Sequence, residues 1–137
     1  MKFSDWDIEF AKGKEGEMYV EGILKDILAG TIEVKRDVKW IQTGNIFIET
    51  ECFYQTSGQY ELSGLSTTKA SHWALVLGDM VLIIPTDDLR QVVQIEGHYI
   101  ETNIEPNPTK GYLIKVDQIV NKYRYEPYRK EEENDSI

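Results

Sequence analysis

"GTIEVKRDVKWIQTGNIFIETEC", Gly30–Cys52, is the stretch whose pairing decides the fold. Apolar Ile32, Val34, Val38, Trp40, Ile46, Ile48 and Cys52 are interleaved with Glu33, Lys35, Asp37, Glu49 and Glu51. The pattern predicts two strands, Thr31–Trp40 and Asn45–Phe53, joined as a hairpin by a turn near "QTGN". Side chains alternate across a strand. With the turn centred near Gln42 and Thr43, Lys35 lies nearly opposite Glu49, Glu33 nearly opposite Glu51, and Asp37 near Phe47. A slip of one residue flips the partner strand, so the register rests on matching the two apolar faces. The acids gathered around one lysine are either a solvated sheet face or a site.

Upstream, "KEGEMYVEGILKDILAG" predicts a helix. Val20, Ile23, Leu24, Ile27 and Leu28 recur at helical spacing, and Gly30 is a C-cap candidate. At about 100° per residue, Glu17 falls on the edge of this apolar face, directed inward, while Glu15 and Asp26 point away. As a plain alternative, Glu17 is an acid favoured near a helix N-terminus. Downstream, "YQTSGQYELSG" reads as a polar loop, and a short helical piece is predicted near Leu65–His72. "HWALVL" and "MVLIIP" predict buried strands around the turn Gly78-Asp79. "TDDLRQVVQIEG" predicts a helix with Thr86 as N-cap candidate, "GYLIKV" a late strand, and "VDQIVNKYR" a last helix. This order implies an α/β fold, one mixed central sheet flanked by helices. Residues 1–128 are expected to form a single domain, and 129–137 a disordered acidic tail.

The 137 residues suffice for one domain with a real core. No run of about 18 apolar residues offers a membrane-spanning helix. "MKFSDWDIEF" lacks the apolar core of a signal peptide. The single cysteine, Cys52, cannot form an intramolecular disulfide, so the cytoplasm is the expected location, that of the host if the chain is phage-encoded. A net charge of -9 argues against a general basic coat for nucleic acid. It does not exclude a metal enzyme acting on DNA, because metal ions screen an acidic site.

Carboxylates on adjacent strands, with one more from a helix, suit Mg²⁺ or Mn²⁺, which take several oxygen ligands. A lysine beside them can orient an attacking water or stabilise a charged phosphate transition state. Glu33-Val34-Lys35 fits that use, although Glu-x-Lys alone is common by chance and most often decorates a solvent face.

Four pieces in order carry more weight: "GKEGE", then "IEVKRD", "TGNIFIE" and "SGLSTTKASHW", covering roughly residues 13–73. Together they resemble the PD-(D/E)xK nuclease superfamily, closest to small phage and bacterial endonuclease or Holliday-junction-resolvase-like members. The resemblance implies a restriction-endonuclease-like core and a Mg²⁺-dependent DNA endonuclease. Carried over, Glu17 matches the helix-borne glutamate, Glu33 and Lys35 the Glu-x-Lys pair, and Asp37 and Glu49 acids that recur in the pattern. Glu17, Glu33, Glu49 and Asp37 are then the expected metal ligands, with Lys35, Glu33 and Glu49 catalytic. The pattern departs in two places. The superfamily's Asp stands on the strand before Glu-x-Lys, where this chain has only Asp26; the alternative gives Glu33 that role and lets "IETE" supply Glu49 and Glu51. Ser71 stands where the pattern carries Asp.

Other residues read more simply. His72 could serve as a general base, but a lone His beside Trp73 at the start of a buried strand is more often structural; a buried thiol is the better reading of Cys52, and Trp40 and the tyrosines serve packing before base stacking. Ser57, Ser63 and Ser66 lack a His/Asp set for nucleophilic catalysis, and "GKEG" is not a phosphate loop. The leading expectation is an endonuclease on branched or structured DNA, acting as a homodimer because cutting two strands calls for two sites. The rival is a catalytically silent DNA- or protein-binding domain of the same fold.

Overall fold

The computed structural model describes residues 5–123, with side chains from Lys12 onward. The expected acidic tail lies outside the described residues. The chain runs α1 (Asp5–Ala29), β1 (Ile32–Arg36), α2 (Trp40–Thr43), β2 (Asn45–Tyr54), β3 (Gln59–Leu62), a 3₁₀ turn (Gly64–Ser66), β4 (His72–Leu77) and β5 (Met80–Pro85). It continues through α3 (Thr86–Glu96), β6 (His98–Glu101) and β7 (Thr109–Lys115) to a helix over 116–123, here α4. This is a mixed α/β fold, as the alternation of strand and helix signals predicts.

The strands form two sheets. One is three-stranded and mixed, in the order β1-β4-β5, with β1 parallel to β4 and β5 antiparallel to it. The other is four-stranded and antiparallel, in the order β3-β2-β7-β6. A common core joins them: Ile46 and Ile48 of β2, Leu75 and Leu77 of β4, Ile84 of β5 and Ile114 of β7 pack with Leu89 and Val92 of α3 and Ile119 of α4.

The predicted β1–β2 hairpin does not form. β1 pairs only with β4, and β2 lies between β3 and β7. Lys35 therefore stands beside Leu75 and Glu33 beside Trp73, not opposite Glu49 and Glu51. The reason is local at both ends of the connector. Asp37 Oδ1 accepts the Lys39 amide at 2.9 Å and turns the chain out of β1. Residues 40–43 then take a helical turn, closed by Gly44 at φ 72 with its N–H on the Trp40 carbonyl at 2.7 Å. The Gly of "QTGN" is thus a left-handed helix cap rather than a hairpin residue.

The β4–β5 hairpin through Gly78-Asp79 forms as expected. Two short strands are added: β3, within the segment expected as a polar loop, and β6, in a stretch given no element; each borrows its ladder from a longer apolar neighbour, β2 or β7. The helical piece expected over 65–72 shrinks to the 3₁₀ turn. Thr86 is the first residue of α3, and its hydroxyl donates to the Ala70 carbonyl at 2.6 Å rather than capping its own helix. No helix among the described residues is long and apolar enough to cross a membrane.

Candidate functional site

β2 organises the most constrained pair of carboxylates. Asp37, half-buried, accepts twice from backbone: Lys39 N–H on Oδ1, and Phe47 N–H on Oδ2 at 3.0 Å. Asp37 thus sits near Phe47, although through this clasp and not through strand pairing. Glu49, also half-buried, lies two residues beyond Phe47 along β2, about 7 Å at strand rise. Its Oε2 accepts the hydroxyl proton of buried Ser63 at 2.8 Å. Gly64 follows at φ 54, pressed against the Glu49 carbonyl so closely that a Cβ would collide with it. A residue other than glycine is excluded there both by conformation and by space.

A β-bulge separates the two acids of "IETE". Glu49 pairs with Gly111, yet Glu51 pairs with Lys110, so β2 spends two steps where β7 spends one. Plain alternation puts Glu49 and Glu51 on one face; the extra residue sends them to opposite faces. Glu51 joins a different group, in which Lys110 Nζ lies 4.0 Å from Glu51, 3.8 Å from Glu101 and 4.1 Å from the centre of the Tyr60 ring. On the Glu49 side, burial and then the Glu49 charge push the Cys52 thiol above its usual value. Cys52 is half-buried rather than fully enclosed.

The other expected ligands are not drawn in. Glu17 is exposed on α1, because most of that helix's apolar face is itself in solvent, so its edge leads nowhere inward. Glu33 is exposed on the edge strand β1, with Lys35 half-buried two residues on and Asp37 two beyond that. Asp26 is exposed near the end of α1, as are its apolar neighbours Leu24 and Leu28. Ser71, at the position where an acid was expected, holds the backbone together. Its Oγ donates to the Thr31 carbonyl at 2.9 Å and accepts the Thr31 N–H at 3.1 Å. His72 Nδ1 lies 2.8 Å from the same hydroxyl. His72 thus shares the Ser71 hydroxyl with Thr31.

Among the described residues, no group of three or more His, Cys, Asp or Glu side chains is gathered to hold a metal. Asp37 and Glu49 offer a hard-oxygen pair, and Mg²⁺ is commonly held by one or two carboxylates plus waters and substrate phosphate oxygens. Asp37 and Glu49 are that number of carboxylates, each already accepting hydrogen bonds from its own partners. Ser63 and Gly64, which position Glu49, carry no motif of their own; the small-residue run "SGLS" after a strand is the only trace of them in the sequence. Comparison with protein-family models, with curated proteins and with solved structures gives no match.

Proposed function

We propose that the chain is a Mg²⁺- or Mn²⁺-dependent DNA endonuclease of the PD-(D/E)xK kind, acting in the cytoplasm on branched or otherwise structured DNA. One observation carries the reading: two half-buried carboxylates, Asp37 and Glu49, are held at one stretch of β2 by backbone amides and Ser63. Lys35 lies two residues before the first of them. In this proposal Asp37 and Glu49 would hold the metal, and Glu33, exposed on β1 four residues before Asp37, lies outside the site. A bound divalent ion supplies an activated water and neutralises phosphate charge. Lys35 contributes a fixed positive charge where negative charge grows on the phosphate. Glu17 and Glu51 take no part.

The second reading, a silent binding domain, is favoured by the absence of a three-carboxylate group among the described residues. One assay separates the two. Pure protein is incubated with branched, duplex and single-stranded DNA in Mg²⁺, Mn²⁺ or EDTA. The nuclease should cleave with metal and not in EDTA. Asp37→Asn and Glu49→Gln should each lose several kcal/mol of transition-state stabilisation, with every ~1.4 kcal/mol a factor of ten in rate. Glu17→Gln and Asp26→Asn should cut at the wild-type rate. DNA retention without cleavage of any substrate establishes the binding domain instead, and cleavage that persists in EDTA removes the metal.

A further inference from the structure

Two apolar surfaces of this chain are left uncovered, and they suit each other. The first is α1. Tyr19 is 72% exposed and Leu28 83%, and Val20, Ile23 and Leu24 are exposed with them. Of the described apolar residues on this helix only Ile27, at 8%, is buried. The second is the outer face of the mixed sheet. Register places Ile32 and Val34 of β1, Ala74 and Val76 of β4, and Val81 and Ile83 of β5 on the side opposite Trp73, Leu75 and Ile84. Val34 is 65% exposed and Val81 54%. Strands apolar on both faces belong to sheets covered on both sides. Here the core covers one.

The C-terminal end of α1 is tied to this sheet, while its other described apolar side chains stay in solvent. Ile27 and Ala74 are the two buried apolar residues that stand outside the main core cluster. The exit is pinned: the Thr31 carbonyl accepts from the Ser71 and His72 amides, and Ser71 Oγ bonds Thr31 twice more. A Cβ on Gly30 would strike Ser71 Oγ. With the junction held so, the upper turns of α1 do not reach their own sheet.

We infer that a second copy of this chain covers both surfaces, each protomer laying its α1 on the outer face of its partner's β1-β4-β5 sheet. When the same two protomers exchange both contacts across a two-fold axis, the arrangement is isologous and closes on itself. A standard stable interface takes about 800 Å² from each partner, and the exposed apolar side chains of α1 and of the outer sheet face together offer surface toward that area. A helix pairing with a helix would leave the sheet bare, and a sheet pairing with a sheet would leave the helix bare. The crossed, reciprocal arrangement removes both within a closed pair.

The test reads mass by light scattering after gel filtration at tens of micromolar, on the full chain without DNA or metal, so it is independent of the nuclease reading. The wild type should run at twice the chain mass. Ile23→Glu on the helix and Ile83→Glu on the sheet should each give monomers with unchanged circular dichroism, since both positions are exposed in the single chain. Val20→Glu and Val34→Glu repeat the two arms at other positions. A monomeric wild type overturns the inference. So does a dimer that survives the sheet substitutions, which would be a helix pair, or one that survives the helix substitutions, which would be a sheet pair.

Discussion

β2 and α1 are the longest strand and the longest helix, and the chain treats them in opposite ways. β2 has ten residues and α1 twenty-five. β2 is paired on both edges, clasped by Asp37, braced by Ser63 and abutted by Gly64. Ile46 and Ile48 are sealed in the core. α1 carries more apolar side chains and buries one of those described. Apolar periodicity is legible in the C-terminal half of α1 and in the first half of β2. The difference lies in what stands opposite each face, and it teaches that a pattern announces a surface to be covered without naming the cover.

The largest contrast is in packing. Ile48→Ala should cost about 2–5 kcal/mol, because it empties a fully enclosed site. Leu24→Ala, at an exposed helix position, should stay within about 0.5 kcal/mol when measured on the monomeric Ile83→Glu chain. Urea unfolding of both variants checks this. Comparable losses would show that α1 is packed in the monomer, and the contrast between the two regions would collapse.

A smaller difference sharpens the view of Asp37. Asp37→Asn keeps one acceptor but turns an NH₂ group toward a backbone N–H, so about 1–2 kcal/mol should be lost even without metal. Asp26→Asn on α1 should leave the thermal midpoint unchanged, since its carboxylate is solvated. If Asp37→Asn is silent in stability, the clasp on β2 contributes little, and the carboxylate is free for another role.

The smallest effect concerns the bulge. Glu49 and Cys52 share a side of β2, and the Glu49 charge adds to burial in raising the thiol. Glu49→Gln removes that repulsion, so the alkylation rate of Cys52 should rise and its pH profile move to lower pH. Glu51→Gln, on the other face, should leave the profile in place. Equal shifts from both would mean that the register runs on without a bulge.

The sequence by itself determined those elements whose signal is local. The helical spacing of Val20 to Leu28, the turn Gly78-Asp79 between two apolar runs, the α3 pattern after Pro85 and the alternation of Ile46 with Ile48 each specify structure within a few residues. Tertiary structure alone decided the partners. A parallel pairing of β1 with β4 joins residues forty apart, and nothing near Lys35 announces Leu75. The glycine of "QTGN" serves a hairpin or a helix cap equally well until Asp37 clasps Phe47. The bulge that parts Glu49 from Glu51 depends on where β7 lays its hydrogen bonds. Ser63 and Gly64 matter only because a loop returns them to Glu49. Backbone and side-chain preferences act over one turn or one strand repeat, whereas a site is assembled from surfaces that meet only after the chain has folded back on itself.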